Sequence, residues 1–306
     1  MLAIILRILL ALELGLYATL AGRYFEITIV ESVLFALTTM LALRFVMNAV
    51  TFGFSWFYHS PSPRLGVVRA VGMFLAEYAA FVVNFVLISP FERWWMGTDR
   101  LMVGTGRPPL LLIHGYSCSR AVWWYLRKRL EAAGWTVATI NLEPCYASIE
   151  SYVEPVSRRI DEVLSVTGAK QLILIGHSMG GLVARAYLRR HGTAKVDRLV
   201  TLAAPHSGSE LARIAIGENA RQMTPENAWL KALANEELLF NTVTIYSPHD
   251  NYVMPQSNQA FAGAQSRTID GLGHLSMLFS PRAATVLLEE LLSSEQSEAV
   301  QLRPGR

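Results

Sequence analysis

The first 95 residues contain no lysine and few charges of any kind, and their apolar residues gather into three long stretches, 2–21, 27–57 and 66–90. About 20 apolar residues in a helix match the hydrocarbon thickness of a bilayer. None of the stretches is clean, because Glu13, Glu31, Arg44 and Glu77 interrupt them. A charge near the centre of a spanning helix costs about 2.5–3.5 kcal/mol, whereas each Leu or Ile returns about 0.3–0.6 kcal/mol. With eleven Leu and Ile in residues 2–21, insertion still wins narrowly. The sequence therefore predicts a hydrophobic helical, transmembrane region over 1–95. In this bundle Glu13, Glu31 and Glu77 face other helices, with Arg44 as a pairing partner, rather than lipid. Tyr24, Trp56, Phe57, Tyr58, Trp94 and Trp95 fall at the stretch ends, where an interfacial belt would place them.

A soluble helical domain, or an apolar cap over an active site, is the alternative, since interrupted stretches also suit buried helices. A cleaved signal peptide fits less well. Glu13 sits inside its would-be apolar part, and the apolar character continues past residue 26. The arginines set no orientation: with three spans, Arg64 and Arg69 fall on one side, and Arg23, Arg93, Arg100 and Arg107 on the other.

Only 17% of the chain is charged, below the quarter usual for soluble domains, which again points to lipid or deep burial. The net charge of +3 comes without any basic run or basic-aromatic patch, so nucleic acid is not an expected partner. Cys118 and Cys145 each follow a predicted strand. Two unpaired thiols are the simpler reading, and a disulfide would imply an oxidising compartment. No metal-ligand spacing is present, and neither metal nor cofactor is expected.

Residues 96–107, at the start of "MGTDRLMVGTGRPP", read as a linker, and from 108 the texture changes. "LLLIHG" (110–115), "TVATINL" (136–142), "QLILIG" (171–176), "RLVTLAAP" (198–205) and "TVTIYS" (242–247) are short apolar runs ending in turn residues. They read as buried parallel strands. Charged, helix-like segments at 119–133, 150–166, 179–191 and 281–294 alternate with them. The expected fold class is α/β, a doubly wound and mostly parallel sheet of about six strands over residues 108–306, with helices on both faces. Sites in such sheets form beyond the carboxyl ends of the strands.

At one such end lies "GHSMG", Gly176 to Gly180. A glycine-x-serine-x-glycine turn between a strand and a helix is a nucleophile elbow: the glycines remove Cβ atoms that would clash, and the strained serine projects its hydroxyl. Gly176, His177 and Gly180 frame Ser178. A serine hydroxyl needs a base to take its proton and a carboxylate behind that base. Asp250 in "YSPHDNYVMP" and His274 in "IDGLGHLSM" each lie after a strand, at the same sheet edge and in the order Ser, acid, His. Asp270, His249 and His206 are the alternatives for these two roles, and His114 reads as a loop-shaping residue. Two backbone N–H groups should receive the developing oxyanion, those of Met179 after the nucleophile and Tyr116 after the first strand.

The blocks "LLLIHGY", "GHSMGGLVAR", "LVTLAAPHSGSELA", "HDNYVMP" and "GLGHLSML", in this order over residues 108–294, resemble the α/β-hydrolase superfamily, and within it bacterial lipases and related esterases. The resemblance implies Ser178 as nucleophile, His274 as general base, Asp250 as its orienting acid, and Met179 with Tyr116 as oxyanion donors. It also implies a sheet that begins at the full fold's third strand, as in compact lipases. The apolar first third departs from secreted lipases. Residues 206–240 fall where this fold carries a short cap over the acyl site. The expectation is a membrane-anchored ester hydrolase whose partners are the bilayer and a lipid or other hydrophobic acyl ester. A bacterial inner membrane is the expected location, with the side of the catalytic half left open. An acyltransferase or thioesterase using the same triad is the alternative, and a non-catalytic membrane scaffold or a permease fits the residues less well.

Overall fold

A computed structural model describes residues 1–234 and 241–301. Its first third is three long helices. Helix α1, Leu2–Phe25, and α2, Ile29–Phe57, form an antiparallel hairpin; α3, Val67–Val82, follows a loop and runs on through a π-turn, Val83–Ile88, and a 3-10 turn, Ser89–Phe91, into α4, Glu92–Met96. The irregular stretch has a local cause. Pro90 lacks an N–H and its ring would clash with a carbonyl one turn back, so the rod widens before the proline and tightens at it.

Two of the interrupting acids are placed differently from the sequence expectation. Glu13 does meet Arg44, whose guanidinium spans both carboxylate oxygens between α1 and α2. Glu31, however, faces no other helix. It caps its own, accepting from the Thr28 backbone N–H at 2.8 Å while its own N–H donates to Thr28 Oγ1 at 3.3 Å. Glu77 faces away from the bundle into the second half of the chain, and is completely buried there.

The helices are apolar around most of their circumference, and the apolar side chains point outward: Leu12 is 66% exposed, Ile29 84% and Val68 86%. Helices α1 and α2 and the continuous helical stretch Val67–Met96 are each long and apolar enough to cross a membrane. A helix that is apolar all round has no reason to keep that surface in water.

The second half is a six-stranded sheet, all parallel, in the order β2-β1-β3-β4-β5-β6. The strands are β1 Leu110–Ile113, β2 Val137–Ile140, β3 Leu172–His177, β4 Val196–Leu202, β5 Thr242–Tyr246 and β6 Gln265–Thr268. The β1 residues have no exposed surface, because helices cover both sides. Leu110 and Leu112 enter one core and Leu111 and Ile113 the other, the period of two that a strand imposes. Burying each such side chain stabilises the fold by about 1.5–3 kcal/mol. One core is closed by α5, Trp124–Ala132, and α10, Pro281–Gln301; the other by α6, Val153–Thr167, and α7, Met179–His191. The sixth strand has the exposed pattern of an edge, which is why its polar "QSRT" carries no apolar signal.

Residues 97–99 are tied down rather than loose. Asp99 is buried among Arg120, Arg127 and Arg159 and accepts from the Thr139 backbone N–H at 2.7 Å. The described part of the expected cap holds a 3-10 turn, Glu210–Ile214, and two short helices, α8 Glu218–Gln222 and α9 Ala228–Ala234. Its last residues, 235–240, lie outside the described residues, as do 302–306 of the expected domain. Cys118 and Cys145 are both free and buried.

Candidate active site

Ser178 sits between the end of β3 and the first residue of α7, with φ 53° and ψ −125°. A side-chain-bearing residue avoids that conformation, so the surroundings must enforce it. Two glycines show how tightly they do. A Cβ on Gly176 would lie 2.5 Å from the Gly181 nitrogen, and one on Gly180 would lie 2.1 Å from the Ile113 carbonyl oxygen. The Ser178 N–H donates to the Leu202 carbonyl at 2.8 Å, locking the turn to β4. These three contacts all come from residues 113–202.

Met179 directly follows Ser178 in this turn, and Tyr116 lines the same cavity as the serine. The Met179 N–H opens α7, where the first amides of a helix have no intrahelical acceptor. Gly115 lies against the serine, a Cβ there falling 2.9 Å from Ser178 Cβ, which brings the next residue, Tyr116, alongside. The Tyr116 hydroxyl is engaged elsewhere, donating to the Ile216 carbonyl at 2.7 Å and so pinning the cap.

Asp250 and His274 meet as the sequence order anticipates. His274 Nδ1 and Asp250 Oδ2 are 2.8 Å apart, and Asp250 is fully buried. The other carboxylate oxygen accepts the backbone N–H groups of Tyr252 and Val253 at 2.7 and 2.8 Å. With its acceptors so occupied, Asp250 presents one oxygen to the ring and orients it. Tyr252 stacks on the His274 ring, 5.0 Å between centroids and 21° from parallel. Burial works against a charged His274, but the adjacent Asp250 carboxylate and the Glu77 carboxylate behind it outweigh that, holding the imidazole pKa above its ordinary value.

The competing histidines are occupied. His114 Nε2 accepts from the Leu142 N–H at 2.9 Å, its Nδ1 donates to the Gly115 carbonyl, and burial pushes its pKa down to about 4. A neutral His114 thus shapes the loop that carries Tyr116. His249 bridges two loops, donating to the Pro63 carbonyl at 2.8 Å and accepting from the Gly271 N–H at 3.2 Å. His206 is buried against Arg185 and Thr201. His177, at the centre of the elbow motif, reaches the His274 carbonyl at 3.3 Å, and burial with His274 nearby keeps it well below the ordinary imidazole value.

Ser178 and His274 line one cavity of about 250 Å³. Its walls are apolar: Leu211, Ala212 and Met223 come from the cap region, and Phe81 and Phe85 from the third apolar helix and its π-turn. The last two were not anticipated from the sequence. Nor were the polar contacts beneath them. Ser55 of α2 donates to the Asp250 carbonyl at 3.1 Å, and Asn251 Nδ2 donates to Thr51 Oγ1 of α2 at 2.8 Å. Among the described residues no group of His, Cys, Asp and Glu is arranged to hold a metal ion.

Residues 108–226 match the family model described as the alpha/beta hydrolase fold. A triacylglycerol lipase of Pseudarthrobacter phenanthrenivorans is 32% identical over 114 residues, 35% of each chain. A triacylglycerol lipase of Burkholderia plantarii is likewise 32% identical over 114 residues, 35% of this chain and 32% of its own. The chain thus spans about a third of the length of these curated relatives. Among solved structures, the mature lipase BlEst2 of Bacillus licheniformis superposes with a TM-score of 0.56 at 17% identity, covering 64% of this chain and 94% of that one. Lipase B of Aspergillus fumigatus superposes with a TM-score of 0.53 at 16% identity, covering 74% of this chain and 62% of that one. The parallel sheet, the serine elbow at the end of β3 and these likenesses agree: the chain carries the α/β-hydrolase fold, preceded by three long apolar helices.

Proposed function

We propose that the chain is a membrane-anchored serine hydrolase of carboxylic esters, with residues 1–95 as the anchor, 96–107 as the linker and the remainder as the catalytic domain. The observation that carries the reading is the buried His274–Asp250 pair, 2.8 Å between ring nitrogen and carboxylate, in one cavity with the strained Ser178. Likeness to triacylglycerol lipases favours esters over other acyl compounds.

In the first half-reaction Ser178 Oγ attacks the ester carbonyl carbon while His274 Nε2 takes its proton. The Met179 and Tyr116 N–H groups receive the oxyanion. His274 then protonates the leaving alkoxide as the carbon–oxygen bond breaks, leaving an acyl-serine. Water, deprotonated by the same imidazole, attacks that acyl group, and the proton returns to Ser178 as the free acid departs. Asp250 keeps the Nδ1 proton in place and favours the imidazolium formed in each step.

The apolar cavity suits an acyl chain. Phe81 and Phe85 place part of its wall on a helix read as spanning the bilayer, so the substrate class is a lipid or other hydrophobic ester that partitions there. The setting we propose is a bacterial inner membrane, with which the three long apolar helices are compatible.

The test is hydrolysis of p-nitrophenyl esters of increasing acyl length by detergent-purified protein and by Ser178→Ala. The reading predicts release of p-nitrophenol and free acid that falls by about 10⁴-fold or more in the variant. Undiminished turnover by Ser178→Ala would overturn it, and an acyl product on an added alcohol or thiol in place of free acid would redirect it to acyl transfer.

A further inference from the structure

Glu77 is a carboxylate in the middle of an apolar helix with no exposed surface. A charge in such a segment is costly, and a buried one needs partners of some kind. Its partners are not in the helical bundle. They are the two backbone amides that follow His274, nearly 200 residues away along the chain. Glu77 Oε1 accepts the Leu275 N–H at 2.9 Å, and Oε2 accepts the Ser276 N–H at 2.7 Å. Ser276 begins the 3-10 turn Ser276–Phe279, whose first amides have no partner inside the turn. Both oxygens act as acceptors, the role of an ionised carboxylate.

The fit is close. A Cβ on Gly273 would fall 2.4 Å from Glu77 Oε2 and 3.0 Å from Asn251 Oδ1. Asn251 Oδ1 itself accepts the His274 N–H at 3.0 Å, and Asn251 Nδ2 is held by Thr51 of α2. The backbone on both sides of His274 therefore hangs from acceptors anchored on α2 and α3. The titratable groups facing the His274 ring are Asp250 on Nδ1, Tyr252 stacked on its face, His177 at 4.7 Å between ring centroids, and Glu77 behind its backbone. No cationic partner of Glu77 occurs among the ion pairs of the described residues. The nearest group able to become a cation at this place is His274 itself, on accepting the serine proton.

We propose that Glu77 is a positioning residue for His274: from the third apolar helix it fixes the backbone that carries the imidazole and favours its protonated form. The proposal rests on the ester-hydrolase reading. It makes the third apolar helix part of the active site as well as of its anchor, so that a shift of that helix changes catalysis directly.

The test compares wild type, Glu77→Gln and Glu13→Gln as full-length proteins in detergent, with a short, soluble p-nitrophenyl ester. Glutamine keeps the shape but turns an N–H donor toward one of the two amides and removes the charge. A displacement of about 1 Å behind a catalytic group can cost about 10²-fold in rate. Glu77→Gln should lower kcat by about 10–10² while KM stays within about threefold, and the acid limb of kcat/KM should move to lower pH, because a negative charge that stabilises the imidazolium is gone. Glu13→Gln, which loosens α1 from α2 away from the site, should leave that limb in place.

Unchanged kcat and pH profile in Glu77→Gln would overturn the proposal while leaving the hydrolase reading intact. So would a fall in kcat with the limb unmoved, the mark of a structural role only. Should Glu77→Gln fail to fold, Gly273→Ala carries the test. It pushes the carboxylate aside without removing it, and must give a fall in kcat together with a move of the acid limb to lower pH; a fall in kcat alone would overturn the proposal. The hydrolase reading stands or falls separately, on whether wild-type turnover disappears in Ser178→Ala.

Discussion

The two halves of the site are built differently. The Ser178 elbow is mainly local: its glycines press on neighbouring backbone and its N–H bonds to β4, within residues 113–204 of the sheet and its helices, and one longer-range contact runs from His177 to the His274 carbonyl. The Asp250 and His274 loops lean outward instead, on Ser55 and Thr51 of α2 and on Glu77 of α3. Ser178 is thus held by a packed sheet. The loops of Asp250 and His274 are held by hydrogen bonds that cross between the two halves of the chain.

That contrast can be broken at either side. The largest effect is expected from Gly180→Ala, whose new methyl would overlap the Ile113 carbonyl at 2.1 Å. Something in the backbone must shift, at a cost of about 1–3 kcal/mol by comparison with other overpacked sites, and the elbow should lose its geometry. Ester turnover should vanish although the helices remain folded by circular dichroism. Retained turnover would mean that the elbow tolerates a different shape.

Asp250→Asn comes next. It should preserve the fold and lower kcat by about 10⁴-fold, because the amide stabilises the wrong imidazole tautomer and no imidazolium. The same pair sets the pH dependence. His274 must be neutral to accept a proton, and its pKa is raised, so wild-type kcat/KM should be full at alkaline pH and fall as pH drops through a value above the ordinary 6.5 or so. A profile flat from about pH 5 to 8 would remove His274 from the base role.

The smallest effect is expected from Ser55→Ala. Its hydroxyl bonds the Asp250 carbonyl, which Gln256 Nε2 also reaches at 2.8 Å, so one donor remains. A loss of about 0.5–1.5 kcal/mol in stability, read by thermal unfolding in detergent, should accompany less than about tenfold in kcat. A loss as large as that of Asp250→Asn would show the inter-half bonds to be far less redundant than the hydrogen-bond pattern implies.

What was legible in the sequence follows the same division. The apolar runs of β1 to β5, the elbow around Ser178 and the loop positions of Asp250 and His274 are written in short stretches, where a local pattern meets a local constraint. Helix α7 begins at Met179 and ends at His191, as its pattern indicates. Edge strand β6 has no apolar pattern to read, because its residues are polar and mostly exposed. Glu31 was misplaced although it stands three residues after Thr28, the spacing of a capping box, which the sequence itself carries. Glu77 is the instructive miss. An acid inside an apolar stretch is a functional candidate by default, but helix periodicity cannot say that its partners are the amides at 275 and 276. Phe81 and Phe85 were equally silent, since one apolar residue in a long apolar helix looks like any other.

The most direct measurement is covalent labelling of the detergent-purified chain with a fluorophosphonate, followed by peptide mass mapping. The account predicts a single adduct on Ser178, absent from Ser178→Ala and formed far more slowly in Asp250→Asn. An adduct on another residue, or equal labelling of wild type and Ser178→Ala, would contradict it.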